Sequence, residues 1–121
     1  MSFEINQRNG SKIAEILSET IVIATVEDGV DLVGNLYYQD IDKVIIHQKN
    51  IVSDFFDLKT GMAGEILQKF SNYRIQLAIV GDFSEYQSKS LMDFIRESNK
   101  VGQVNFVKSS ADAIDKLSKP G

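Results

Sequence analysis

Cysteine is absent from the 121 residues, which excludes disulfides, thiol nucleophiles and every thiolate metal site. The same absence suits a reducing compartment, so a cytoplasmic protein is expected. Proline occurs once, as Pro120, and no repeat, low-complexity stretch or Pro/Gly-rich linker divides the chain. One domain is therefore expected over residues 1–118, with a disordered tail at 119–121. Histidine also occurs once, as His47, which leaves a single imidazole for acid–base chemistry. No apolar run approaches the length of a bilayer span, and Met1 to Asn6 has neither a basic n-region nor an apolar h-region, which disfavours membrane insertion and secretion. Positive charge is not in excess either. The 13 Lys and Arg face 17 Asp and Glu, and a net charge of −4 offers no general attraction for a phosphate backbone or an anionic lipid surface. Neither a nucleic acid nor a membrane is expected as a partner.

What remains is an ordinary globular composition, 43% apolar and 25% charged, well away from the signature of disorder. Phe3 and Ile5 alternate with polar neighbours, Asn9-Gly10 is a two-residue hairpin turn signal, and Ile13 to Leu17 is apolar-rich, so the chain opens with a β-hairpin. Ile21 to Ala24 adds a short extended piece. Thr25 with Asp28 forms a capping box, and Val26, Val30, Val33 and Tyr37 recur at helical spacing up to about Tyr38. Lys43 to His47 is a β-branched run of the kind that becomes a buried strand. Met62, Ile66 and Phe70, with Ala63 and Leu67, mark a second helix over about Leu58 to Phe70.

Ile75 to Val80 is the most hydrophobic strand candidate, expected to be central and nearly inaccessible; Leu91, Phe94 and Ile95 give a third helix ending near Asn99. Gln103 to Val107 is the last strand, and Ser109 with Asp112 opens a final helix whose apolar residues are Ala113, Ile114 and Leu117. The order reads ββαβαβαβα. After the hairpin a helix-length segment separates each strand from the next, which predicts parallel neighbours in a mixed α/β sheet, a single layer backed by helices. In such sheets ligands and partners meet the loops beyond the carboxyl ends of the strands, here His47 to Asp57, Gly81 to Ser84, and Ser109-Ser110.

His47 stands at a strand end, with Asp54 and Asp57 close in sequence, and is the one general-base candidate. No Gly-x-Ser-x-Gly elbow accompanies it, so a structural strand-end histidine is the simpler reading. Asp54, Asp57 and Asp82 could meet as oxygen ligands for Mg²⁺, but Asp54 and Asp57 precede a helix start, where carboxylates cap free amides. No metal and no cofactor are expected. Gly61 and Gly64 lie in Gly-Met-Ala-Gly, which lacks the Gly-Lys-Ser/Thr ending of a P-loop and the Gly-x-Gly-x-x-Gly fingerprint, so close packing of the second helix on the sheet is the preferred account. Of Phe55 and Phe56, one is expected in the core and its neighbour on the surface.

The run Asp54-Phe55-Phe56-Asp57-Leu58-Lys59-Thr60-Gly61, continuing to Tyr73-Arg74, and then Leu77-Ala78-Ile79-Val80-Gly81-Asp82-Phe83, resembles a bacterial family known as domain of unknown function 4180. Gly34-Asn35, Tyr37-Tyr38, Lys89-Ser90-Leu91, Asp93-Phe94-Ile95 and Glu97-Ser98-Asn99 extend the resemblance over nearly the whole chain. The family name supplies no activity. More distantly the chain is similar to STAS domains, the sulfate-transporter and anti-sigma-factor-antagonist fold, which carry Asp-Ser-Ser/Thr-Gly at the start of the second helix. Leu58-Lys59-Thr60-Gly61 occupies that place: Thr60 and Gly61 match, Leu58 replaces the aspartate, and Lys59 replaces the serine that antagonists have phosphorylated. Asp57 supplies the acidic residue only if the loop is one residue longer, and Thr60 is then the remaining hydroxyl.

The resemblance implies a docking surface without the kinase switch. The expected function is accordingly a non-enzymatic regulatory or binding module that contacts another protein or a small anionic ligand through Asp54, Asp57, Lys59, Thr60 and Gly61, with Asp82 nearby. Two alternatives stand beside it: a small hydrolase or transferase using His47 with Asp57 or Asp82, and an oligomeric structural protein.

Overall fold

The computed structural model describes residues 2–8 and 10–118. Asn9 of the expected Asn9-Gly10 turn and the expected disordered tail at 119–121 lie outside the described residues. The chain forms β1 (Ser2–Arg8), β2 (Ser11–Leu17), α1 (Val26–Tyr38), β3 (Lys43–His47), α2 (Met62–Asn72), β4 (Gln76–Val80), α3 (Lys89–Val101), β5 (Val104–Val107) and α4 (Ser110–Leu117). Three 3-10 turns, at Gln48–Asn50, Ser53–Phe56 and Leu58–Thr60, fill the stretch between β3 and α2. The expected order ββαβαβαβα is present, in one mixed five-stranded sheet ordered β1-β2-β3-β4-β5. β1 and β2 pair antiparallel; β2, β3, β4 and β5 run parallel, so a helix-length connection separates every parallel pair. Among the described residues no helix is long and apolar enough to cross a membrane.

Alternation along the strands divides the interior in two. Ala14, Ile16, Val44, Ile46, Leu77, Ile79, Val104 and Phe106 face α1, α2 and α3. Ile13, Ile45, Ala78, Val80 and Val107 face α4 alone, which supplies Ala113 and Leu117. β3 and β4 are thus covered on both faces, which is why they read as unbroken apolar runs rather than alternating ones. The expectation of an inner, inaccessible strand from about Arg74 to Val80 is met over Leu77 to Val80, which are buried in β4 between β3 and β5, whereas Arg74 is exposed in the turn before the strand.

The start of α1 follows its sequence signal. Thr25 Oγ1 accepts from Asp28 N at 3.1 Å, and Asp28 Oδ2 accepts from Thr25 N at 3.1 Å and Ala24 N at 2.9 Å. Its buried face differs from the expected Val26/Val30/Val33/Tyr37 stripe and comprises Gly29, Leu32, Val33 and Leu36, while Tyr37 is exposed. Gly29 explains the rotation. A Cβ there would lie 2.8 Å from three side-chain atoms of Ile66 in α2, so the missing side chain lets the two helices approach. Gly61 and Gly64 have no such role, contrary to the close-packing expectation. Both are exposed with open space where a Cβ would stand, and Gly61 instead takes φ +76°, a left-handed conformation that glycine adopts without steric cost.

Filling the Gly29 contact should be costly and should depend on its partner. Gly29→Val is expected to lose about 2 kcal/mol through overpacking, and Ile66→Ala alone about 3 kcal/mol through the cavity it leaves. In the double variant the added isopropyl group occupies that cavity, so the two losses should be clearly less than additive in urea denaturation. Strict additivity would mean that the helices do not meet at this point.

Candidate functional site

The segment from His47 to Gly61 leaves the carboxyl end of β3 and reaches α2 through the three 3-10 turns. The expected helix start at Leu58 is therefore too early: Leu58–Thr60 is 3-10, Gly61 reverses the backbone, and α-helix begins at Met62. Asp57 caps the last turn by accepting from Lys59 N at 3.2 Å. The Thr60 hydroxyl lies 2.9 Å from both Asp54 O and Asp57 O, to which it donates, and it accepts from Met62 N at 3.2 Å. That hydroxyl closes the junction from within. Asp54, Asp57, Lys59, Thr60 and Gly61 are all exposed, and Lys59 makes no ion pair among the described residues.

Phe55 and Phe56 correct the expectation that one of them would be on the surface, since both are buried. Strand-like alternation does not apply to a 3-10 turn, where neighbours diverge by about 120° and both can face inward when the turn lies across the edge of a core. Phe56 stacks on Tyr86 at 5.4 Å and meets Phe83 at 5.8 Å, so the loop after β4 packs on Phe56, and Phe55 meets Phe56 edge-to-face at 5.1 Å. Gln48 fastens that loop. Its Oε1 accepts from Asp82 N at 3.0 Å, and its Nε2 donates to Glu85 Oε1 at 3.2 Å and Tyr86 Oη at 3.0 Å. The side chain passes so close to Gly81 that a Cβ there would lie 2.3 Å from Gln48 Oε1.

Asp82 is exposed and turns to its own loop, accepting from Ser84 Oγ at 2.6 Å and Ser84 N at 3.0 Å. These two bonds, the hydroxyl first, hold its carboxyl below the usual range, with Lys108 adding to the effect. No hydrogen bond or ion pair joins Asp82 to Asp54, Asp57, Lys59 or Thr60 among the described residues. Nor do any three His, Asp or Glu there form a group that could hold a metal ion, so the Mg²⁺ arrangement weighed for Asp54, Asp57 and Asp82 is not assembled.

His47 finds its partner on a neighbouring strand. Its Nε2 lies 2.7 Å from Glu15 Oε2, and Ser110 Oγ donates to the same oxygen at 2.7 Å. A carboxylate only accepts, so Nε2 is the protonated ring nitrogen in this pair. Asp57 and Asp82, the expected partners, hold no bond to the ring. Glu15 sits in β2 next to β3, and its carboxylate meets the first turn of α4, where the helix dipole favours negative charge. The signal for it was available: a glutamate inside Ile13-Ala14-Glu15-Ile16-Leu17 interrupts a strand that is otherwise apolar. Beside the ring is an open cavity of about 370 Å³ lined by Ile16, Leu17, Ser18, Glu19, His47 and Lys49.

Chemically this cluster is a hub with the carboxylate in the middle. A serine nucleophile must give its proton to the imidazole. Here serine and histidine both donate to Glu15, so neither faces the other as nucleophile and base.

Two consequences can be measured. Glu15→Ala deprives two half-buried donors of their charged acceptor and should cost about 3 kcal/mol, whereas Ser110→Ala removes one bond to a charged group and should cost about 1.5 kcal/mol, both read from denaturation midpoints. Ser84→Ala should raise the Asp82 pKa toward the ordinary carboxylate value, because the lost hydroxyl bond favours the ionised form; a ¹³C carboxyl titration that stays unchanged would contradict that cause.

The family described as domain of unknown function (DUF4180) matches residues 8–117, and the chain belongs to that family. No curated protein matches the chain.

Proposed function

We propose that this chain is a non-enzymatic regulatory or binding module whose contact surface is the exposed junction Asp54 to Gly61, with Asp82 at the adjoining strand end. The observation that carries this reading is the convergence of Ser110 Oγ and His47 Nε2 on one oxygen of Glu15, which spends the polar groups at the strand ends on one another. A binding role asks less of the site: an exposed, rigidly held segment with a cation that forms no ion pair among the described residues. The junction offers that. Its backbone is fixed by the Thr60 and Asp57 bonds, and Lys59 is an exposed charge with no ion pair among the described residues. By resemblance it stands in for the Asp-Ser-Ser/Thr-Gly motif of STAS domains, of which Thr60 and Gly61 fit, with the fixed charge of Lys59 where those domains carry a switchable serine. Recognition by this surface would be constitutive, and the partner would be another protein or a small anionic ligand.

A second reading is favoured by the His47 geometry. A carboxylate that orients an imidazole beside a cavity is the arrangement of a general base, and His47 Nδ1 makes no hydrogen bond among the described residues. The hydrolase alternative would therefore use Glu15, and not Asp57 or Asp82, to orient the ring.

One set of variants separates the two. Lys59→Glu should weaken binding of the captured partner by about 1 kcal/mol or more while shifting stability by no more than about 0.5 kcal/mol. His47→Ala should leave that binding intact. If purified protein instead turns over p-nitrophenyl acetate or p-nitrophenyl phosphate, and His47→Ala abolishes turnover without unfolding the chain, the non-enzymatic reading fails.

A further inference from the structure

The opposite edge of the sheet, where the strands begin, carries a different kind of surface. α1 ends in Tyr37-Tyr38 and α2 is followed by Tyr73, and these three tyrosines are 60%, 89% and 45% exposed. Tyr37 and Tyr73 meet edge-to-face with ring centroids 5.0 Å apart. The three rings form a ridge, because the same three residues line two separate clefts. One, of about 540 Å³, continues over Asp40, Asp42 and Arg74; the other, of about 700 Å³, runs over Asp31, Gly34 and Lys69. Exposed aromatic rings in contact, with arginine beside them, are the composition of an interface centre rather than of an idle surface.

The charges around the ridge indicate what meets it. Asp31, Asp40 and Asp42 supply one sign and Lys69 and Arg74 the other, yet none of the five makes an ion pair among the described residues. The last turn of α1 contains no basic residue of its own, so the negative end of its dipole adds to the negative charge of Asp40 and Asp42. Asp40 at φ +58° and Arg74 at φ +57° are the left-handed residues that end α1 and α2, followed by the bonds Ile41 N to Leu36 O and Ile75 N to Phe70 O, so both charges stand on turns of fixed backbone.

A uniformly basic partner would satisfy the aspartates and oppose Lys69 and Arg74, and a uniformly acidic one would do the reverse. A surface carrying the same mixture, turned about a two-fold axis, pairs both signs and sets ridge against cleft.

We propose that the Tyr37–Tyr38–Tyr73 ridge is an isologous interface between two copies of this chain, with Lys69 and Arg74 of one copy facing Asp31, Asp40 and Asp42 of the other. This surface is independent of the Asp54–Gly61 junction, and its failure would leave the binding reading of that junction untouched.

Sedimentation velocity over a concentration series tests it on the full chain. Wild type is expected to dimerise reversibly, and Tyr38→Ala to weaken the dimer about thirtyfold or more with little change in melting temperature, since that ring is almost wholly exposed. Charge exchange identifies the partner as a second copy. Lys69→Glu/Arg74→Glu and Asp31→Lys/Asp42→Lys should each be monomeric alone, and an equimolar mixture should recover a heterodimer. Asp40 is left unchanged because lysine fits its backbone poorly. A wild type that stays monomeric throughout, a dimer indifferent to Tyr38, or a mixture that does not reassociate would each overturn the proposal.

Discussion

An eight-residue helix has to close one whole face of the inner strands. β3 and β4 are buried on both sides; three helices cover one face, and only α4 covers Ile13, Ile45, Ala78, Val80 and Val107 on the other. Ala113, Leu117 and the partly buried Ile114 offer little apolar area for that task. Polar bonds at both ends hold the helix in place. Ser110 Oγ donates to Glu15 at its first turn, and Lys43 Nζ, which also donates to Ser11 Oγ, donates to the Leu117 carbonyl at its last. A carboxylate lies at the positive end of the helix dipole and an ammonium at the negative end, so each bond is charge-assisted and aligned with the field. Bonds of this kind contribute about 1.5–3 kcal/mol each, comparable with burying a large apolar side chain.

That solution constrains what the carboxyl edge of the sheet can do. Glu15 is committed to α4, and through the same oxygen it commits His47, so the groups that most resemble catalytic machinery are also structural bonds. The neighbouring loops are tied down as well: Gln48 links β3 to the loop after β4, while Phe56, Tyr86 and Phe83 pack beneath it. What is left for recognition at this edge is the outer surface of the 3-10 junction, where the side chains are exposed and the backbone is already ordered. Little conformational entropy would then be lost on contact.

The two ends of the sheet divide their chemistry by geometry. Helices feed into strands at one edge, so that edge collects helix C-termini, the αL residues Asp40 and Arg74, and the tyrosines of α1 and α2. Strands feed into helices at the other, which collects capping residues such as Ser109 and Asp57 together with His47. An aromatic, mixed-charge surface thus stands at one end of the sheet and a polar, capped surface at the other.

Sequence alone determined the elements. Alternation in the hairpin, short apolar runs for the inner strands and helical spacing located the five strands and four helices of the described residues, and the Thr25/Asp28 and Ser109/Asp112 spacings marked the starts of α1 and α4, because capping bonds join residues only three apart. The same local reading found the strand-end loops and the polar junction at 54–61. Tertiary structure decided the rest. The face that α1 buries depended on Gly29 meeting Ile66, thirty-seven positions away. Phe55 and Phe56 both turned inward from a 3-10 turn, and Phe83 and Tyr86 of the loop after β4 pack on Phe56. His47 is bonded to Glu15 and, through it, to Ser110, at sequence separations of 32 and 95 residues. Periodicity and capping are properties of a short stretch of backbone and can be read from it. A buried carboxylate takes whichever donors the fold brings within bonding distance, and in a parallel sheet these come from segments that only the completed crossovers make neighbours.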